Sequence, residues 1–291
     1  MKLEKAYSLD IKKNIAASEA DTKYVRGEVS SKFAFTCPGK NCDAQVTCAN
    51  LDRPKNKRKR DPYYKIVGEH SKSCDIHEDI EPTKKRKTVR EDIYSDSDEY
   101  YDHAVRLDVR PPSSKRPDDE ASQGEDIDLE VKGKPSTTDE GGKRKIQPSR
   151  RLSSLVSAFR NNEPLTLQVP DEGTMSIQDF FVEIDGQDIE SLEDSYRVYY
   201  GKGWINKNEK GYSVRFNNSL KYNELVVRPS FFIPLALVEA SSYRKFQLST
   251  LDKLANKIPK DIYILCETGP RPHGDYINFW LDGLEYMEYQ L

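Results

Sequence analysis

The chain has 291 residues, of which 33% are charged, with a formal net charge of −3 and a mean hydropathy of −0.82. This length allows about two domains, and the polarity exceeds what two fully packed domains require, so part of the chain is expected to be solvated. No apolar run is long enough to span a bilayer and the first residues lack an apolar signal region, which predicts a cytoplasmic protein.

Charge divides the chain unevenly. Residues 1–74 hold 16 Lys and Arg against 9 Asp and Glu, whereas 75–150 and 151–291 each hold 15 against 20. The basic N-terminal part is the part suited to meeting phosphate. Five cysteines are an odd number, and four of them fall between positions 37 and 74. Metal-bound thiolates fit that clustering better than a disulfide framework.

In chain order, residues 1–77 read as a small domain. Strands are predicted at 7–11, 44–48 and 63–67, with a helix at 15–24 and residues 32–36 leading into the first cysteine pair. Residues 78–148, rich in Asp, Glu, Lys, Ser, Pro and Gly, read as a disordered linker. Residues 149–291 read as a β-rich domain. Leu152, Leu155, Val156 and Phe159 recur at i, i+3, i+4 and i+7, one face of a short helix with Ser149 as its expected cap. A strand follows at 165–169, and Ser176 with Asp179 opens a second helix. Further strands are expected at 196–205, 211–217, 262–267 and 276–281, with a possible last one at 284–289 and a helix at 249–258 before these final three. The order strand, strand, strand, helix, strand, strand is that of an OB-like five-stranded barrel. The fold class expected is therefore α+β to mostly β.

Cys37 and Cys42, then 27 residues, then His70 and Cys74 form two short chelating pairs separated by a loop. Thiolates and imidazole in that pattern predict a tetrahedral Zn²⁺ site with four protein ligands. Pro38 and Gly39 suit a tight turn between the first pair. Cys48 and His77 are competing ligands; Cys48 shares strand parity with Val46 and reads better as a buried apolar residue. A closed site leaves no open position for chemistry and predicts a binding module, not an enzyme.

Ala6, Tyr7, Ile15, Glu19, Ala20, the run Phe35-Thr36-Cys37-Pro38, Cys42, Ala44, Val46, His70 and Cys74 resemble the N-terminal region of CoiA-like competence proteins. The resemblance covers residues 6–77. It implies a small zinc-binding domain in a bacterial protein that handles DNA. The first pair here is spaced Cys-x4-Cys where the family has Cys-x2-Cys, and the family's downstream nuclease domain is not evident.

Lys55, Lys57, Arg58, Lys59 and Arg60, followed by Tyr63 and Tyr64, combine phosphate-neutralising and base-stacking side chains. Arg197, Tyr200, Lys202, Trp204 and Arg215 offer the same combination in the C-terminal part, where strand parity places Tyr200 and Trp204 on one face and Tyr199 on the other. Together they predict binding to nucleic acid, single-stranded DNA or RNA. Two rival readings are a protein-binding adaptor of a bacterial DNA-processing or defence complex, and a divergent nuclease. The nuclease reading rests on Pro117-Asp118 with Glu130-Val131-Lys132, a metal-binding pattern set in the linker without strands to hold it. Gly201-Lys202-Gly203 lacks the rest of a phosphate loop. His273 reads as a solvated loop residue and Cys266 as a core residue.

Overall fold

The computed structural model describes residues 2–58, 60–67, 70–71, 73–78, 93–94, 101, 103–110, 148–241 and 243–291. The chain is mostly β with few helices, and its strands form no closed barrel among the described residues. No helix is long and apolar enough to cross a membrane.

The N-terminal sheet is antiparallel, in the order Lys2–Leu3, Tyr63–Ile66, Gln45–Ala49, Phe35–Thr36, Lys5–Ser8 and Lys13–Ala16. Helix Ala17–Val25 follows directly from the last of these. Inward residues of alternate parity, among them Ala6, Ile15, Phe35, Val46, Cys48 and Tyr64, fill its core. Cys48 is fully buried opposite Tyr64, as its parity indicated.

A second sheet takes up one part of the expected linker, residues 104–108, as a strand. Ala104–Asp108 is a central strand, parallel to both Ser149–Arg151 and Thr166–Val169, with Gly173–Ser176 at the edge. Val105, Leu107 and Val109 are buried, and so is Tyr94. The Tyr94 hydroxyl donates to the Gln168 carbonyl at 2.7 Å and accepts from the Leu107 amide at 2.8 Å. The rest of the expected linker from 111 to 147, including Asp118, Glu130 and Lys132, lies outside the described residues. Helix Leu152–Arg160 buries Leu152, Leu155 and Val156 as the periodicity predicts. Its cap is Arg151 with no side-chain bond, not Ser149, because Ser149 is drawn into the sheet. Ser176 does cap helix Ile177–Phe180, accepting from the Asp179 amide at 3.1 Å.

The third sheet runs Arg271–His273, Tyr276–Asn278, Ser230–Pro234, Gly211–Phe216, Arg197–Asn208, Lys260–Cys266 and Met287–Gln290, with Phe181–Glu183 also pairing with Arg197–Asn208. It has two free ends, where a five-stranded barrel would have none. The long strand Arg197–Asn208 exchanges neighbours at Gly203, which is paired with Phe216 on one side and Lys260 on the other. A Cβ there would stand 3.0 Å from the Arg215 carbonyl oxygen, so a side chain at this crossing would push the neighbouring strand by a few tenths of an ångström.

The N-terminal sheet is docked on the C-terminal part through buried polar contacts. Lys32 and Asp194, with side chains 3% and 1% exposed, are paired at 3.0 Å. Asp52 stands 3.0 Å from the same ammonium, and the Asn50 amide donates to Asp194 at 3.0 Å. Arg271 is buried, and its guanidinium donates to the Phe33 carbonyl at 2.6 Å, the Phe35 carbonyl at 3.1 Å and the Thr47 hydroxyl at 2.9 Å. Glu267 takes a hydrogen bond from the Tyr63 hydroxyl at 3.1 Å and an ion pair from Lys65. Phe33 itself belongs to the C-terminal core.

Removing one member of a buried ion pair strands the other, so Lys32→Ala should cost about 3–5 kcal/mol of stability in urea unfolding. Pairing Lys32→Met with Asp194→Leu should recover much of that loss. Burial opposes the charge on Glu267, but Lys65 and the Tyr63 hydroxyl outweigh it and hold its carboxyl below the ordinary value of 4.5. A depressed carboxylate adds stability that is complete above the ordinary value and lost as pH falls through the folded one. An acid titration of unfolding should therefore show a smaller loss below about pH 4.5 in Glu267→Gln than in the unaltered protein.

Candidate metal centre and basic surfaces

The four predicted ligands come together. Cys37 follows strand Phe35–Thr36, Cys42 precedes Gln45–Ala49, and His70 and Cys74 follow Tyr63–Ile66, so three adjacent strands deliver them to one end of the sheet. The Nδ1 atom of His70 lies 3.4 Å from each of the Cys37, Cys42 and Cys74 sulfurs. The Cys37 and Cys74 sulfurs are 3.8 Å apart, and all four ligand atoms fall within 4.8 Å of one another. With metal–sulfur bonds of about 2.3 Å and metal–nitrogen bonds of about 2.0 Å, a tetrahedron has S···S edges of about 3.8 Å and S···N edges of about 3.5 Å. These separations match those edges, so the cluster is shaped to hold a metal ion.

Local backbone shapes the cradle. A Cβ on Gly39 would lie 2.5 Å from the Cys74 sulfur and 2.9 Å from the Asp75 carboxylate, so only glycine lets the turn close. Its amide donates to the Cys37 sulfur at 3.4 Å, and the Lys40 amide donates to Asp75 at 2.8 Å. Asn41 takes a positive φ of 54°, and its carbonyl accepts from the Ser71 hydroxyl at 2.5 Å. Ala44, Ile66 and Ile76 form an apolar skirt. Burial pushes the Cys37 thiol up to about 12, and its two neighbouring sulfurs add to the rise. Burial also opposes ionisation of Cys42, but the Ala44 and Ser71 amides, with His70 and Cys74, outweigh it and bring that thiol down to about 6. Cys42 is therefore readier than Cys37 to be a thiolate at neutral pH. Cys48 lies in the sheet core and takes no part in the cluster, while His77 falls in helix Asp75–Glu78.

The basic loop is braced, which changes what it offers. Arg58 donates to Asp21 at 2.8 Å and to the Leu51 carbonyl at 3.1 Å, and its side chain is buried. The Arg58 hydrogen bond is the main cause of a lowered Asp21 carboxyl pKa. Arg60 pairs with Asp171 and lies 3.9 Å over the Tyr63 ring. Tyr64 is 1% exposed and packs on Phe35, so it cannot stack on a base. Lys55 and Lys57 are exposed, with Lys55 3.7 Å from Asp21, and Lys59 lies outside the described residues.

The C-terminal candidates separate into two groups. Arg197 is buried and paired with Glu193 and, at 3.9 Å, with Glu172. Tyr200 stacks on Tyr263 and packs on Phe159 and Phe181, half-buried. Lys202, Trp204 and Arg215, in contrast, lie on the outer face of the third sheet. Trp204 is directly opposite Arg215, and Lys202 is opposite Asp261, its ion-pair partner at 3.2 Å. Two further residues join them. The Arg228 guanidinium lies 5.9 Å over the Trp204 ring, and Phe232 is 41% exposed. Phe232 was legible in principle, since Phe231 and Ile233 beside it point into the core.

No protein-family model, curated protein or solved structure matches the chain.

One bound metal ion per chain is the expected stoichiometry, measured by elemental analysis of the purified protein. Gly39→Ala should weaken metal retention against a competing chelator by about tenfold or more, because the added carbon takes the space of the Cys74 sulfur.

Proposed function

We propose that this chain is a non-enzymatic, zinc-stabilised nucleic-acid-binding protein. Three thiolates and one imidazole nitrogen are the donor set of structural zinc, and they leave no ligand position for water or substrate. When bound, the metal would supply folding energy to a sheet with a small core. The residues Cys37, Cys42, His70 and Cys74 would hold it, and the amide of Gly39 would fix one sulfur. The resemblance of residues 6–77 to a zinc region of DNA-handling proteins points the same way.

The observation that carries the nucleic-acid reading is the outer face of the third sheet. Trp204, Arg215, Arg228 and Phe232 gather there, and among the described residues Arg215 and Arg228 form no ion pair with a carboxylate. Aromatic rings beside unneutralised guanidinium groups suit a ligand with flat bases and a phosphate backbone. An open sheet face is sufficient, and no closed barrel is needed.

Binding to nucleic acid measured by fluorescence anisotropy should weaken steeply between 50 and 200 mM salt, as backbone charge neutralisation requires. Arg215→Gln combined with Arg228→Gln should lower affinity about tenfold or more and flatten the salt slope. Absent or salt-insensitive binding would sink this reading.

A further inference from the structure

The pairing register places the exposed face in order. Trp204 lies opposite Arg215, Arg215 opposite Ser230, and Phe232 is two residues further along the Ser230 strand, hence on the same side. Arg215 therefore stands between the two aromatic rings. With strands about 4.8 Å apart and a rise of about 3.3 Å per residue, Trp204 and Phe232 are separated by about 12 Å along the backbone grid. Bases stacked along one strand rise about 3.4 Å each, so that separation corresponds to about four nucleotides.

We propose that Trp204 and Phe232 are the two stacking platforms of a single-strand site about four nucleotides long, with Arg215 on the phosphates between them and Arg228 orienting the Trp204 ring. The proposal rests on the nucleic-acid reading above and names its ligand class. Stacking on these rings needs bases free of a complementary strand, which a duplex keeps paired in its interior. The two ring platforms read no base edge, so the site tolerates any sequence. Phe232 is a binding residue that nothing in its sequence neighbourhood marks as functional; its role comes from the strand it is paired with. Its ring also lies beside the hairpin turn, 3.0 Å from where a Cβ on Gly211 would be, which limits its freedom to turn away.

Trp204 and Trp280 are the two tryptophans of the chain, so Trp280→Phe leaves Trp204 as the sole reporter. The full metal-loaded chain carrying that substitution is titrated with oligothymidylates of two to ten nucleotides, and with a ten-base-pair duplex, while Trp204 fluorescence is followed. The expected result is quenching by single strands, affinity that rises steeply up to about four nucleotides and slowly beyond, and weaker binding of the duplex. Phe232→Ala should lower affinity about tenfold for oligomers of four or more while leaving dinucleotide binding unchanged. Its thermal unfolding midpoint, compared with that of the parent, separates lost binding from lost folding. Single-strand binding without Trp204 quenching, no effect of Phe232→Ala in a folded protein, or preference for the duplex overturns this site while the nucleic-acid reading stands. No binding of any nucleic acid overturns both.

Discussion

Among the described residues Arg271 has no carboxylate partner, yet it is buried among three acceptors on the N-terminal sheet. Its contacts, with the Lys32–Asp194 pair a short way off, set how the two parts of the chain meet. A charge moved out of water is tolerated only where its hydrogen bonds are met. Lys32 meets that condition through Asp194 and Asp52, and Arg271 meets it at its two terminal nitrogens through backbone carbonyls and a hydroxyl of the N-terminal sheet, while its buried Nε has no partner among the described residues. Such contacts are directional, so they define one docking geometry where apolar burial alone would allow several.

The metal cluster sits on the same strands as these contacts. The Phe35 carbonyl that accepts from Arg271 is two residues before Cys37, and Gln45, hydrogen-bonded to His273, is three residues after Cys42. The Val67 amide binds the Gln45 carbonyl at 2.8 Å and carries the connection towards His70. Holding the four ligands in place thus holds the backbone that the C-terminal part docks on. A zinc module that stands apart from its neighbour, as the composition of the chain suggests, would have had no buried side chains crossing between them.

The charges are sorted by the same rule. Those that face carboxylates across the fold, such as Arg58, Arg60 and Arg197, are used up in structure. Arg215 and Arg228, set beside Trp204 on an outward sheet face, have no carboxylate partner among the described residues and are the charges the proposed site would use. Counting basic residues in a window gives them all equal weight, whereas a partner carboxylate 4, 37 or 111 positions away decides which are available.

Much was legible in the residues alone. Cys37, Cys42, His70 and Cys74 were found from ligand type and spacing, because a chelating turn is a local device. The helix Leu152–Arg160, the cap at Ser176 and the strand parity of Cys48, Tyr200 and Trp204 follow from periods of 3.6 and 2. What tertiary structure decided is non-local. Ala104–Asp108 becomes a central strand because two distant segments pair with it; on its own it is a short apolar run in charged sequence. The sheet stays open, since strand order alone does not say whether first and last edges meet. The side chains of Tyr64 and Arg58 are buried and Phe232 is exposed on the face of Trp204 and Arg215, because exposure belongs to the assembled faces and not to any residue's own neighbours along the chain.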